Sequence, residues 1–371
     1  MRLVKRCVSV NALLDADKAF DQRLVTAATA YRGQPDDDDD NHDEGGHEQP
    51  DARAAKDAVD PLVTIRAVDE RATPGACTLP CVPVAVIDIG TNTTRLLVAE
   101  VEDGQVVELD RRTLITRLGQ GVDSSGRLAQ EAMDRVAEAI AVYREVIDRL
   151  GTERVAALAT SAMRDAENGP EFRDYLKQRF GVEAQTISGD EEARLTFLGA
   201  TSDRNDDRES VVIDIGGGST EYVVGRPAHD PDFHVSTQMG SVRHTERYLH
   251  TDPPKPEELQ QLAAAVAETV PDVSVEQAIA VAGTATSLAA IDGADRIHGY
   301  RLSLATCERI VAMLAAMPLE ERRRVEGLHP DRAPTIVAGA VILTESMRAL
   351  RPKEAEVSER DILHGAAVNA L

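Results

Sequence analysis

"AVIDIGTNTTRLLVAE" at residues 85–100 returns as "VVIDIGGGSTEYVVGR" at residues 211–226. Ile87, Asp88, Ile89 and Gly90 of the first stretch stand again as Ile213, Asp214, Ile215 and Gly216 in the second. Thr94 and Val98 stand again as Thr220 and Val224. Two unrelated apolar strands would share isoleucines and valines. They would not readily share an Asp and a Gly two residues apart, followed at matched offset by a cluster of hydroxyls. The repeated phrase reads as strand, glycine turn, strand.

The turns "IGTNTT" and "IGGGST" carry a chemistry. Glycine lets backbone N–H groups approach an anion with no Cβ in the way, and the Thr and Ser residues that follow add hydroxyl donors. Asp88 and Asp214, each just before its turn, do not suit a phosphate directly, but either can hold a divalent cation that bridges to one. One "GGGS" alone is most simply an ordinary hairpin. Two such loops with Asp at the same offset read as a two-sided phosphate clamp.

Outward from the pair, "VAVIDIG" and "TRLLVAEVEDGQVVELDRRTLITRLG" read as a strand and a hairpin turned at Asp103–Gly104. In "LAQEAMDRVAEAIAVYREVIDRLG" the residues Val136, Ile140, Tyr143, Ile147 and Leu150 recur at helical spacing, and Gly151 stops the helix. "RVAALATSAMR" reads as a buried strand running into a turn, "GPEFRDYLKQRFG" as a short helix, "VEAQTISG" as a strand and "DEEARLTFLGAT" as a helix. After the polar linker "SDRNDDRES" the second copy leads through helices and the strand "AIAVAGTATSL" to the end. The expectation is an α/β fold made by duplication, with two similar lobes facing each other across an active-site cleft.

Residues 1–83 read differently. "GQPDDDDDNHDEGGHEQPD" is a low-complexity acidic run that cannot bury enough apolar surface to offset its ordering entropy. The expected division is a mostly disordered acidic extension at 1–83, lobe I at 84–190 plus 358–371, and lobe II at 191–357. Aromatics are scarce, at 3% of the 371 residues, so the core rests on Ala, Val, Leu and Ile. A net charge of −23 opposes binding to nucleic acid or an anionic membrane. It leaves room for an anionic substrate, because local arginines and backbone N–H groups override the global field at short range. The four cysteines imply no disulfide framework, and Cys77 and Cys81 have no second pair or His to complete a metal site. The lead "MRLVKRCVSVNALLD" is too broken for a signal peptide, so a cytoplasmic location is expected, with no membrane partner.

The two loops resemble the phosphate-1 and phosphate-2 loops of the actin/Hsp70/sugar-kinase superfamily, whose lobes are ribonuclease H-like. Over residues 84–371 the stretches "IDIGTNTTRLLV", "TRLGQGVDSSGRL", "ATSAMRDAEN", "ISGDEEARLTFLGA", "VIDIGGGSTE", "VAGTATSLAAI" and "VSERDILHG" narrow this. Together they resemble the exopolyphosphatase/guanosine pentaphosphate phosphatase (Ppx/GppA) family, in its short form without an HD-type C-terminal domain. The resemblance implies Mg²⁺-assisted hydrolysis of the terminal phosphoanhydride of inorganic polyphosphate, or of the 5′-terminal phosphate of guanosine pentaphosphate (pppGpp). It puts the catalytic glutamate at Glu192 and a phosphate-contacting arginine at Arg164. It implies acids near the metal at Asp214 and Glu221, which join Asp88 from the turn chemistry. It matches Gly216, Gly217, Gly218 and Ser219 to the phosphate loop, and Thr91, Asn92 and Thr93 to the first loop. Pro334 stands where many members carry an acid, and His364 stands near a position often charged. A homodimer is expected.

Spacing separates Glu192 from its neighbour. Ser188 and Glu191 have the offset of a capping box, which would occupy Glu191 with the helix end and leave Glu192 about 100° further round. For cations, Arg243 and Arg247 lie one helical turn apart with His244 and His250 nearby, and Arg322, Arg323 and Arg324 cluster. A solvated charged helix face is the simpler reading of each group. A kinase of the same superfamily, or a non-catalytic sensor of (p)ppGpp or polyphosphate, are the competing classes.

Overall fold

All six residues of Val84–Ile89 (β1) are buried, as befits a strand covered on both faces. The computed structural model describes residues 82–102 and 104–370. The extension assigned to 1–83 lies outside them apart from its last two positions, as does the Cys77–Cys81 pair. From β1 the chain turns into β2 (Thr93–Glu102) and returns as β3 (Gln105–Ile115), with Gly104 at φ 78° in the hairpin turn. After α1 (Val122–Ser125) and α2 (Gln130–Arg149), β4 (Arg154–Ala159) lies parallel to β1. Then come α3 (Ser161–Asp165), α4 (Gly169–Phe180) and β5 (Ala184–Thr186), which is parallel to β4. The sheet order is β3-β2-β1-β4-β5.

The second half begins with α5 (Gly189–Thr201), then β6 (Ser210–Ile215), β7 (Thr220–Gly225) and β8 (Phe233–Thr237). Next follow α6 (Ser241–Tyr248), α7 (Pro256–Thr269), β9 (Ala278–Val281) and α8 (Ala282–Ile291). The chain continues through β10 (Arg301–Ser303), α9 (Leu304–Ala316), α10 (Leu319–Arg322), α11 (Ile336–Leu350), β11 (Glu354–Val357) and α12 (Ile362–Asn369). Read from its far edge, β8-β7-β6-β9-β11 repeats the order of the first sheet, and β10 is added outside β11. The senses repeat too, with a three-stranded antiparallel meander followed by two parallel strands. The sequence repeat is therefore a structural one. The fold is a duplicated ribonuclease H-like fold with two lobes.

Helix α2 packs as its spacing predicts. Val136, Ile140, Tyr143 and Ile147 are buried, and the Tyr143 hydroxyl donates to the Thr94 carbonyl at 2.6 Å, so the buried ring leaves no polar group unpaired. The sequence reading gives no strand at β8, β10 or β11, and one strand that it does give is shorter than expected. "AIAVAGTATSL" is a strand only to Val281, where Ala282 adopts φ 64° and the chain turns into α8. A short run of small residues has no periodicity to separate strand from buried helix.

Helices α5 and α12 lie between the sheets. Leu195 joins Ile362, Leu363 and Ala366 against Val84, Val86 and Leu97 of the first sheet. On its other side α5 sets Ala193, Phe197 and Ala200 against Val212, Val223, Ile279 and Val281 of the second. The two helix backbones touch: a Cβ on Gly199 would lie 1.8 Å from the Asp361 carbonyl oxygen, and one on Gly365 would lie 1.8 Å from that of Leu195. The expected lobe boundary at 190/191 thus falls in the first turn of a helix that serves both sheets. This placement carries Glu192 to the seam between the lobes.

Candidate active site

The C-terminal ends of β1 and β6 open on one polar cavity of about 140 Å³. Asp88, Thr91, Asn92 and Thr93 line it from the first copy, and Asp214, Gly216, Gly217, Gly218, Ser219 and Glu221 from the second. Glu192 enters from α5. The structure brings together every expected site residue except Arg164.

Strand register sets the charges. Asp88 faces Arg95 across β1–β2, and at the same place in the repeat Asp214 faces Glu221 across β6–β7. Arg95 donates from Nε and Nη2 to Asp88 Oδ2 at 2.9 and 2.7 Å, and from Nη1 to Asp361. Asp88 Oδ1 is buried and has no partner among the described residues. In the second copy a carboxylate meets a carboxylate. Burial raises the Asp88 carboxyl above its ordinary value against the pull of Arg95. Burial pushes Asp214 up to about 6, with Arg95 opposing. Burial, then the charges of Glu192 and Asp214, hold Glu221 well above the usual carboxylate range. Glu192 is pushed up to about 7 by burial, which Arg164 opposes and Asp214 and Asp88 reinforce.

Among the described residues, no three His, Cys, Asp or Glu side chains converge closely enough to hold a metal ion unaided. Mg²⁺ needs less: it takes one or two carboxylates and completes its shell with water and substrate phosphate oxygens. The unpartnered Asp88 Oδ1 and the facing Asp214 and Glu221 carboxylates supply hard oxygen donors of that kind. The donor set fits.

The second loop is oriented by α6. The amides of Ser241 and Val242 donate to the carbonyls of Gly216 and Gly217 at 2.9 and 2.8 Å, and Arg243 Nε donates to that of Gly218 at 2.8 Å. In a trans peptide the N–H points opposite to the C=O. The N–H groups of Gly217, Gly218 and Ser219 therefore point away from α6, the arrangement an anion-binding nest requires. The glycines have a second role that the sequence reading did not anticipate. A Cβ on Gly217 would lie 3.0 Å from Thr91 Cβ and Cγ2, and one on Gly218 would lie 2.5 Å from Ser161 Oγ. The two loops are in contact with each other.

At the start of α5, Ser188 Oγ accepts from the Glu191 amide at 3.1 Å. The reciprocal bond from the Glu191 side chain does not form, and that side chain is exposed. Half of the capping box is present. Glu192 is buried, and Arg164 Nη1 donates to its Oε2 at 3.2 Å and to the Ile187 carbonyl at 2.9 Å.

Residues 97–371 match the Ppx/GppA phosphatase family. The chain belongs to it. Exopolyphosphatase 2 of Mycobacterium tuberculosis is 38% identical over 313 residues, covering 77% of this chain and 98% of that protein. Exopolyphosphatase 1 of Mycobacterium bovis is 32% identical over 305 residues, covering 78% and 88%. The crystal structure of the Aquifex aeolicus Ppx/GppA family member superposes with a TM-score of 0.65 at 30% identity, covering 77% of this chain and 96% of that one. An exopolyphosphatase structure from Cytophaga hutchinsonii superposes at 0.73 with 25% identity, covering 78% and 98%.

In this Ppx/GppA protein the cavity draws its cations from places the sequence reading did not single out: Arg95, Arg111 and Arg332. Superposing the two repeats in sequence puts Arg95 where Glu221 stands, so that signal was available. Arg332 had none. It comes from a 3₁₀ turn at Pro330–Arg332 and lies against Gly283, where a Cβ would sit 1.7 Å from its Nη1. The arginines that were singled out do other work. Arg322 is buried and donates to the carbonyls of Leu314, Met317 and Ala333. Arg323 pairs with Glu320 at 3.3 Å, and Arg324 is exposed. Arg243 and Arg247 reach across to Asp123, and Arg243 also to Asp165. His364 is buried and shares a 2.9 Å hydrogen bond with Glu108. Among the described residues no helix is long and apolar enough to cross a membrane.

Proposed function

We propose that this protein is an exopolyphosphatase that hydrolyses the terminal phosphoanhydride of inorganic polyphosphate and releases orthophosphate. The observation that carries this is a single polar cavity in which Glu192, the Gly216–Ser219 loop and the Asp214–Glu221 pair converge. Mg²⁺, held by Asp214 and Glu221 with Asp88, would offset phosphate charge in the ground and transition states. The loop amides and the hydroxyls of Thr91, Thr93 and Ser219 bind the phosphate oxygens, and Arg95 and Arg332 add positive charge. Glu192 accepts a proton from the attacking water as the new P–O bond forms, and the shortened chain leaves on its bridging oxygen. Arg164, which lies outside the cavity, holds the Glu192 carboxylate in place.

The other reading is a pppGpp 5′-phosphohydrolase. Phosphate contacts are common to both substrates, but a guanine ring calls for a stacking platform. Among the described residues no aromatic side chain lines the cavity, and its apolar lining is limited to Ile215, Ala282 and Ile362. That observation favours polyphosphate. The test is orthophosphate release by the purified protein with Mg²⁺ from long polyphosphate, tripolyphosphate, pppGpp and ATP, with a chelator control. Release from long polyphosphate above the others is expected. Preference for pppGpp favours the second reading, phosphate transfer from ATP to an acceptor indicates a kinase, and tight binding without release indicates a sensor.

A further inference from the structure

We propose that Arg243 is a positioning residue that couples closure of the lobes to the orientation of the phosphate loop. This rests on the reading of Gly216–Ser219 as the loop that binds the substrate's phosphate.

One guanidinium spans three segments. Its Nε donates to the Gly218 carbonyl at 2.8 Å, its Nη1 to Asp123 Oδ1 at 2.5 Å and its Nη2 to Asp165 Oδ2 at 2.6 Å. Gly218 belongs to the second copy of the repeat, whereas Asp123 on α1 and Asp165 on α3 belong to the first. The side chain is 11% exposed, so these pairs are poorly screened by solvent. The Gly218 carbonyl and the Ser219 N–H are two ends of one peptide plane, so holding the first aims the second. Gly216 and Gly217 are held by backbone amides of α6, whereas Gly218 is held by a side chain whose other two arms grip the opposite lobe.

The neighbours of Arg243 on α6 reinforce the grip. Arg247 takes both oxygens of Asp123, at 2.5 Å each, and Glu246 Oε1 accepts from the Gly121 amide at 2.9 Å. Were the lobes to part, Arg243 would lose both carboxylates and its fixed geometry, and the Gly218–Ser219 peptide would lose its tether. The last amide of the nest is thereby presented when the lobes are closed. The planar arginine fork holds its donors in fixed, widely spaced directions, so that it can reach all three acceptors at once. A lysine ammonium at the end of a flexible stem cannot keep that geometry.

The experiment is a mutant cycle read by tripolyphosphate binding in calorimetry, by KM and kcat for long polyphosphate, and by melting temperature. Arg243→Lys is expected to weaken tripolyphosphate binding and raise KM by about tenfold, since charge-assisted bonds of this kind contribute that much or more. Asp165→Asn, which leaves the Gly218 contact possible but loosens the grip on the first lobe, is expected to shift binding in the same direction. The double variant is expected to show no further loss beyond Arg243→Lys, because the effects share one path. A lowered melting temperature with unchanged binding and KM would reduce Arg243 to a structural brace and overturn the proposal. Fully additive losses would overturn the coupling. Binding is measured without turnover, so an inactive wild type that still binds tripolyphosphate tells against hydrolysis while leaving the coupling measurable. A wild type that binds no polyphosphate overturns both.

Discussion

Arg164 grips Glu192 from outside the cavity, its Nη1 donating to Oε2 at 3.2 Å while the Ile187 carbonyl, at 2.9 Å, fixes the same nitrogen. The pairing has a kinetic consequence. Burial pushes the Glu192 carboxyl up to about 7, Arg164 opposes that rise, and the charges of Asp214 and Asp88 add to it. A base must be deprotonated to act, so kcat is expected to rise with pH through about 7. Arg164→Gln removes the guanidinium that opposes the rise. The acid limb should move to higher pH, with a loss at pH 7 that is largely recovered near pH 9. An unmoved limb would separate Arg164 from Glu192. The raised carboxyl also has a sign for stability. Its contribution is complete below the ordinary value of 4.5 and is lost as pH rises through about 7.

Glu191 and Glu192 are adjacent and chemically identical, yet the fold treats them differently. Glu191 is exposed and lends the cap its backbone amide, not its side chain. Glu191→Gln is expected to leave kcat within about twofold and stability within ~0.5 kcal/mol, as surface substitutions commonly do. Glu192→Gln keeps the shape and removes the basic site. It should lower kcat by ~10² to 10⁴ with substrate binding retained. Normal turnover in the 192 variant beside a dead 191 variant would reverse the assignment.

The contact between the loops makes a prediction that anion binding alone does not. A Cβ on Gly217 would press on Thr91 Cβ and Cγ2 at 3.0 Å and on Asn92 Cβ at 3.1 Å. Gly217→Ala therefore forces the two loops apart by a few tenths of an ångström, and Gly217→Val by more. Thr91→Ser deletes Cγ2 while keeping the hydroxyl that accepts from the Ala162 amide at 3.2 Å. Combined with Gly217→Ala, it should recover part of the lost polyphosphate affinity. If the added methyl blocked the anion alone, Thr91→Ser would recover nothing.

The repeat made the fold legible. Asp–x–Gly between strands, given twice, was enough to place the β1–β2–β3 meander and the β6–β7 hairpin, though not β8, because register and side-chain alternation follow from the pattern once each turn is known. It also gathered Asp88, Asp214 and the two loops, since those residues sit at equivalent strand ends. What escaped was whatever depends on a partner far away in sequence. Arg332 reaches the cavity by lying on Gly283, and Asp361 meets Arg95 only because Gly199 and Gly365 let α5 and α12 touch. Spacing along the chain encodes neither. The position of Arg164 illustrates the same limit: its segment identified it as important, but only the packing of Ile187 and Glu192 shows that it stands behind Glu192, outside the cavity.

Asp88 meets an arginine where Asp214 meets a glutamate, so the two halves of one repeat carry opposite electrostatic problems. The first is solved within the chain. In the second, Asp214 and Glu221 are 8% and 1% exposed, and their charges disfavour one another. A divalent cation between them and the substrate's phosphate is the proposed solution, and it can be tested without any turnover. Metal-stripped protein should gain melting temperature on addition of millimolar Mg²⁺, because a ligand of the folded state at about 100 times its Kd stabilises by about 2.7 kcal/mol. For a chain of this size each kcal/mol is worth roughly 2 °C or somewhat less. Glu221→Gln removes one of the two facing charges. It should raise the melting temperature of the stripped protein and shrink the gain from Mg²⁺. Ca²⁺ would be a weaker substitute in a site that offers few carboxylates and relies on water and phosphate to complete an octahedral shell. A melting temperature indifferent to Mg²⁺, or a Glu221→Gln variant that keeps the whole gain, would remove Glu221 from the metal site and leave the carboxylate pair to be neutralised by protons alone.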